Sequence, residues 1–542
     1  MILTMKYFFL RIILALLTSQ VATMIYAYDF KVDNISYTKL NETKVAVAGY
    51  SGNDNEITIP KFVEYNGKKY LVSAIGKEAF YHSKISNITL PESINTIEEY
   101  AFRETAITAI DLPENVISIG HHAFLWCRKL KKINIPEGIT FIGGQTFEGC
   151  AIEDINIPES VKSIDFNAFK NCKNLHTVLG MSGISSIGKE AFCGCENLKS
   201  FNIPTAAETI GEAAFKDCVS LTSIVIPPSV KTIAKYTFSG CSNLKDVTIS
   251  EGVQRLELDA FYRCESLSEI FIPASLIEIY LLPFEYCSNL SSIKVSENNP
   301  KFDSRDNCNA IMSSTDDFFW GKDNLVVGCN GTIIPSSTKK IAYNNGWGAF
   351  TGCSLASVII PRELTRLQSF RECYIGEINV EDGNTVYDSR NNCNAIVETK
   401  SNTIHTVSSK TFIPQDIVKV QGDFRPYTEM SCLYCYPSTP PELQLYWTGN
   451  GENYVYYFTD EQFQNMTLYV PKGCKSAYDQ TKGWNNFWNI KEFDATGINE
   501  PFVDNCTETL YYDIRGIQIK SPRKGFNIIK KGDGTSKKVF VK

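Results

Sequence analysis

Ten phenylalanines recur at intervals of 22 or 23 residues: Phe80, Phe102, Phe124, Phe147, Phe169, Phe192, Phe215, Phe238, Phe261 and Phe284. Seven of them follow an alanine, as in Ile75-Gly76-Lys77-Glu78-Ala79-Phe80. Around each runs a longer unit, clearest from Phe215 to Ile233, with Cys218, Leu221, Ile224, Ile226, Val230 and Ile233 at set offsets. A fixed period of this length, with Leu and Ile in register, means that each unit is one rung. A rung cannot bury its apolar face alone and does so against its neighbours, which predicts a solenoid.

Each rung holds a short strand, such as Lys132-Ile133-Asn134-Ile135-Pro136. Strand alternation turns Ile133 and Ile135 inward and Lys132 and Asn134 toward a concave face. Pro136 stops the strand. A Val-x-x-Ile piece then gives a second extended stretch, and Ala-Phe-x-x-Cys makes the turn into the next rung. The expected fold class is a leucine-rich-repeat solenoid, mainly β with short turns and one-turn helices in a curved parallel ladder. It carries a β-rich N-terminal cap, inserted β-hairpins and a small β C-terminal domain.

The chain opens with Lys6 and Arg11, an apolar run from Ile12 to Leu17, and a small residue at Ala27. This pattern predicts a secretory signal peptide over residues 1–27, too short in its apolar run to remain as an anchor. No later stretch predicts a transmembrane segment, so the mature chain is expected to be exported, to the cell surface or beyond. Residues 28–72 alternate with period 2 and include a turn at Tyr65-Asn66-Gly67-Lys68, which predicts a β-rich cap over the solenoid end. Repeats follow over 73–297, then repeats interrupted by two β-hairpin modules over 298–436. A closing segment spans 437–494 and a small β domain 495–542. From Arg515 onward that last piece holds nine Lys or Arg against one acid, Asp533.

Cys127, Cys150, Cys172, Cys195, Cys218, Cys241, Cys264 and Cys287 share one repeat position. An exported chain invites a disulfide reading. Equivalent positions in stacked rungs form a column, however, and a column of small apolar thiols packs well without bridges. Off the column, Cys308 and Cys329 could pair, and Cys432-Leu-Tyr-Cys435 has redox spacing without the surrounding βαβ pattern of a redox fold.

The register breaks after Phe284. Phe302-Asp303-Ser304-Arg305-Asp306-Asn307-Cys308-Asn309-Ala310-Ile311 returns as Tyr387-Asp388-Ser389-Arg390-Asn391-Asn392-Cys393-Asn394-Ala395-Ile396, each leading into a hairpin. The oxygen-rich side chains suggest calcium, but the loop spacing of a calcium site is missing, and turn-stabilising Asx contacts are expected instead. Ordinary rungs resume at Ala349-Phe350 and Ser369-Phe370.

The repeat, the duplicated hairpin module and the β-rich start resemble the BspA-like family of bacterial leucine-rich-repeat surface proteins, from about Asp29 to Phe493. Leu433-Tyr434-Cys435-Tyr436 and Gly483-Trp484-Asn485-Asn486-Phe487 belong to the resemblance. From Gly497 the chain is similar to a type IX secretion sorting domain of Bacteroidetes. The matching residues include Tyr511-Tyr512-Asp513-Ile514-Arg515-Gly516 and Lys538-Val539-Phe540-Val541-Lys542. The resemblance implies recognition of the C-terminal domain by secretion machinery. It also implies a role in adhesion to host matrix proteins or other bacteria, without identifying a ligand.

Nothing marks an enzyme, and none is expected. The five histidines, His82, His121, His122, His176 and His405, stand in no HExxH, and there is no P-loop. His121 and His122 precede an Ala-Phe pair and are expected exposed on the turn. Glu98-Glu99 occupies variable repeat positions. No metal and no cofactor are expected. The formal charge of −7 argues against nucleic acid.

A binding surface remains, for a protein or glycan on a host or bacterial surface. The concave-face candidates are Lys132, Asn134, Asp154, Asn156, Asp246, Thr248, Glu269 and Phe271. Among mostly short polar neighbours, Val225, Phe271 and Ile359 are apolar exceptions, and Phe271 is the best single anchor. A second candidate is the loop tip Phe318-Phe319-Trp320. Tyr446, Trp447, Tyr454, Tyr456 and Tyr457 form a third, as stacking platforms for glycans. A purely structural surface protein is the remaining alternative.

Overall fold

The computed structural model describes residues 28–280, 282–316, 320–344, 347–367, 370–447 and 454–495, with the backbone of four later strands. The predicted signal peptide, Phe318 and Phe319 lie outside the described residues, as do the side chains of Tyr446, Trp447, Tyr454 and Tyr456. Backbone contacts divide the chain into two units, Met1–Val219 and Ser220–Lys542. Each is a mostly β, parallel leucine-rich-repeat solenoid.

In the first unit the strand Glu56–Thr58 pairs in parallel with Asn87–Thr89, so the ladder begins inside the stretch with period-2 alternation. The preceding strands Phe30–Val32, Ile35–Lys39 and Lys44–Tyr50 form a sheet that runs on through Lys68–Ile75 into Thr96–Ile97 and Ser118–Ile119. Phe62–Tyr65 closes on Lys68–Ile75 as a hairpin, with Asn66 and Gly67 at φ 51° and 72°. Those left-handed values give the two-residue turn that fits strand twist.

Three columns hold the rungs together. The Ile-x-Ile strands pair as Asp154–Ile157 with Thr177–Gly180. Leu179 and Gly180 both lie within this pairing, opposite Asn156 and Ile157. Gly180 sits at φ +76°, and a Cβ there would stand 2.0 Å from the Ile157 carbonyl. The second extended stretches form a longer ladder, Phe141–Ile142, Ser163–Ile164, Ser186–Ile187 and Thr209–Ile210. The third column is the turn. Phe80 N–H donates to Ala101 O, Phe102 to Ala123 and Phe124 to Thr146 at 2.8 to 3.0 Å. Left-handed residues bracket each Ala-Phe pair, for example Tyr100 and Glu104, or His122 and Trp126.

Inside, Phe80, Phe102, Phe124, Phe147, Phe169 and Phe192 are fully buried, and successive rings stack at 5.2 to 5.6 Å. Such ring pairs add about 0.5–1.5 kcal/mol to their area burial. The cysteines behind them are free thiols. Each points at a carbonyl one rung back: Cys127 Sγ lies 2.9 Å from Phe102 O and Cys172 Sγ 3.0 Å from Phe147 O. Burial pushes the Cys172 thiol up to about 12. The column is thus a ladder of weak S–H donors as well as a packing device.

The second unit repeats the scheme. Ser223–Ile226 pairs with Asp246–Ile249, Glu269–Ile272 with Ser292–Val295, and Ser354–Ile360 with Tyr374–Val380, all parallel. The hairpin modules are inserted between rungs: Phe302–Asp303 and Ile311–Ser313 pair antiparallel, and Tyr387–Asp388 with Ala395–Glu398 likewise. A parallel sheet of Cys432–Tyr434, Thr467–Pro471 and Asn489–Phe493 ends the repeats. Trp484 is fully buried beneath it, its indole N–H donating to Pro441 O at 2.6 Å. Leu510–Asp513, Gln518–Ile519, Gly525–Lys530 and Ser536–Val541 make a four-stranded antiparallel sheet. Among the described residues no helix is long and apolar enough to cross a membrane.

Candidate functional site

The residues that can touch a ligand are those the Ile-x-Ile strands turn outward. In the second unit the register sets Val225 beside Thr248, Phe271 beside Lys294 and Ile359 beside Asn379. Val225, Phe271 and Ile359 are 56, 51 and 54 % exposed. One step back along the same strands stand Ser223, Asp246, Glu269, Ser292, Ser357 and Glu377, mostly short or acidic. Asp246–Ile249 lies against Glu269–Ile272, so Asp246, Thr248, Glu269 and Phe271 share one face. Asp246, Glu269 and Lys294 make no ion pair with any described residue. Glu377 does: Lys410 Nζ at 2.5 Å holds its carboxyl below the usual carboxylate range. The arrangement offers an apolar anchor between unpaired charges of both signs.

The first unit's candidates behave differently. Lys132, Asp154 and Asn156 are exposed on the outward face. Asn134 is half-buried and occupied: its Oδ1 accepts from Leu112 N–H at 2.6 Å and its Nδ2 donates to Leu112 O at 2.8 Å. The amide extends the pairing with the preceding rung, where the strand register covers only Lys132–Ile133 against Ala109–Ile110. It is therefore a structural residue. Trp320 is half-buried, and its carbonyl accepts from the Asn324 amide. Of the proposed glycan aromatics only the Tyr457 side chain is described, with the Arg425 guanidinium 5.6 Å from its ring centre.

Several other expectations resolve. Cys308 and Cys329 are both free and buried, and Cys329 Sγ is directed to Asn309 O at 3.0 Å, so they form no bridge. Cys432 is disulfide-bonded whereas Cys435 is a free thiol, pushed up to about 12 by burial beside the Tyr478 hydroxyl. That spacing is no dithiol pair. His121 and His122 are half-buried, not exposed as expected. His122 stacks on Tyr100 at 4.6 Å and bonds Gln145 at 2.8 Å, while His121 Nδ1 accepts from Gly144 N–H at 2.7 Å. Glu99 pairs with Lys77 at 2.9 Å.

The duplicated motif closes on itself. Arg305 N–H donates to Asp303 Oδ1 in an Asx turn, and its guanidinium binds the same carboxylate at 2.8 and 2.7 Å. Arg305 also reaches Asp323 at 2.6 Å. Arg390 repeats this with Asp388, and both carboxylates are spent on arginine rather than open to a cation. Beside the second copy lies an open cleft of about 650 Å³ lined by Asp388, Arg390, Asn391, Thr399, Gln415 and Asp416. Its charged groups pair with one another. Among the described residues no group of three or more His, Cys, Asp or Glu could hold a metal ion.

Sequence reasoning missed one exposed pair on the flank of the first unit. Phe141 stands where the neighbouring rungs of the first unit carry Ser or Thr, and Phe166 folds across Gly144. They are 42 and 41 % exposed and lie 6.2 and 6.4 Å from the His121 ring. Aligning the repeat against itself would have exposed both as departures.

Comparison with known proteins matches residues 50–176, 185–310 and 328–423 to the BspA type leucine-rich repeat region, in six copies. Among solved structures, a leucine-rich repeat protein from Bacteroides ovatus is 22 % identical, covering 66 % of this chain and 100 % of its own, with a TM-score of 0.40. A leucine-rich cell surface protein from Faecalibacterium prausnitzii is 19 % identical over 86 % of this chain and 95 % of its own, at 0.35. A leucine-rich repeat protein of T. pallidum is 23 % identical over 44 % and 90 %, at 0.25. No curated protein matches.

Proposed function

Because this chain belongs to the BspA-type leucine-rich-repeat family, whose members are cell-surface proteins, we propose that it is an exported surface protein that binds a protein partner. The partner, on a host or bacterial surface, docks on the outward strand face of the second unit. The signal-peptide pattern and the basic C-terminal domain support export, the latter as the part read by secretion machinery. The role is adhesion, and the chain carries no catalysis.

The observation behind this reading is three apolar positions on the outward strand face, Val225, Phe271 and Ile359, each at least half exposed beside a polar partner. Binding energy concentrates on a few buried aromatic anchors ringed by polar contacts, and Phe271 between Glu269 and Lys294 has that form. Purified mature chain, titrated against immobilised host matrix proteins and bacterial cells, should bind saturably, and Phe271→Arg should abolish it. Absence of any saturable partner there would overturn the protein-binding reading.

A second reading has its own observation. The exposed Phe141 and Phe166 rings beside His121 offer faces on which a sugar could stack. Under it, Phe166→Ser removes binding to a glycan array while Phe271→Arg leaves it intact.

A further inference from the structure

One cysteine stands apart from all the free thiols. The chain has 18 cysteines. Sixteen of them are free, including Cys435 and Cys474, the two that follow Cys432. Cys432 itself is disulfide-bonded. Elimination leaves a single cysteine as its partner, Cys506, which lies outside the described residues in the stretch that leads to the C-terminal sheet.

The position of Cys432 suits such a bond. It opens the strand Cys432–Tyr434, which pairs in parallel with Thr467–Pro471. Leu433 is fully buried, so alternation turns Cys432 and Tyr434 to the opposite side, where both are half-buried. Tyr434 stacks on Tyr469 there at 4.6 Å. Cys435 is placed differently, buried with its Sγ 3.1 Å from the Tyr478 hydroxyl. Burial of that kind keeps a thiol protonated and inert.

The chain is long enough to return. Asn489–Phe493 is the third strand of the same sheet, and Ala495 is the last residue described before Cys506. Coming back to Cys432 means crossing two strand spacings, about 10 Å, and retreating about 13 Å along the strand. The 11 residues from Ala495 to Cys506 can span more than about 35 Å.

We infer that Cys432 is bonded to Cys506, and that this bridge staples the lead-in of the C-terminal sheet to the last sheet of the repeats. Each thiol gives up a proton, and the pair gives up two electrons. The S–S bond forms as the disulfide of an oxidant breaks, and both of its sulfurs leave as thiols. That exchange belongs to an oxidising compartment, which the export reading supplies. No adhesion partner enters it, so its failure leaves the binding proposal standing. The C-terminal sheet is then held to the solenoid twice, through the connecting chain and through the bridge. A cut between Gly497 and Phe502 leaves it attached until the bridge is reduced.

Peptide mapping of the full chain, treated with oxidised glutathione and alkylated before digestion, tests the pairing. One cross-linked pair carrying Cys432 and Cys506 is expected, with the other sixteen cysteines unbridged. A protease site inserted between Gly497 and Phe502 tests the staple. On a denaturing gel the cut chain should run as one species without reductant and as two with it, whereas cut Cys506→Ser should run as two in both. Cys506 recovered unbridged, Cys432 joined to another cysteine or to glutathione, or a cut wild-type chain that separates without reductant overturns the inference. If Cys506→Ser fails to fold, the wild-type map decides alone.

Discussion

The outward strand positions of the two units differ although their interiors are the same. In the first unit the column reads Thr58, Thr89, Asp111, Asn134, Asn156, Leu179 and Asn202, polar except at Leu179. In the second it includes Val225, Phe271 and Ile359, each at least half exposed. Behind both stand the same stacked phenylalanines, buried thiols and turn hydrogen bonds. The difference teaches that rung and face are separable. Inward positions are fixed by the neighbouring rung, while an outward side chain answers to stability only where it bends back to the backbone, as Asn134 does.

The largest effect should fall where the units are alike. Phe169→Ala and Phe261→Ala should each cost about 3–5 kcal/mol in denaturant unfolding, through lost transfer energy and a cavity. A marked inequality would break the claim of a common interior. Next comes the difference itself. Phe271→Arg should weaken partner binding by about 2 kcal/mol or more, roughly thirtyfold or greater, with the unfolding midpoint unchanged. Asn134→Ala should do the reverse. It removes two hydrogen bonds that extend the strand pairing, so a loss of about 1–2 kcal/mol in stability is expected, with partner affinity untouched. If Asn134→Ala weakens binding and leaves stability alone, the two faces are not distinguished as described.

Much of this was legible in the sequence. The 22- to 23-residue spacing fixed which residues are interior, and each of the ten phenylalanines in that register is buried. Outward exposure of Val225, Phe271 and Ile359 followed from strand alternation. What escaped was whatever depends on direction rather than period. A side-chain amide pattern does not announce that Asn134 will satisfy Leu112 on another rung. The left-handed turn residues escaped because Trp126, Tyr236 and Leu282 occupy them, and such side chains give no local sign of positive φ. Cys308 and Cys329 could be judged only once Asn309 O was seen to occupy Cys329. Phe141 and Phe166 stand in positions that vary between rungs, where an aromatic looks like noise until its neighbour His121 is located.

The left-handed corner two residues after the repeat phenylalanine recurs at Glu104, Trp126, Gly149, Asn171, Gly194 and Asp217 in the first unit, and at Gly240 and Gly352 in the second. An ordinary L-residue is held there against its own sterics at roughly 1 kcal/mol, which glycine avoids. Four corners already carry glycine on the same backbone, so Asp217 could become glycine without reshaping the turn. Heat tolerance can therefore be tuned at the bends, one rung at a time, without altering what either broad surface presents to the outside world.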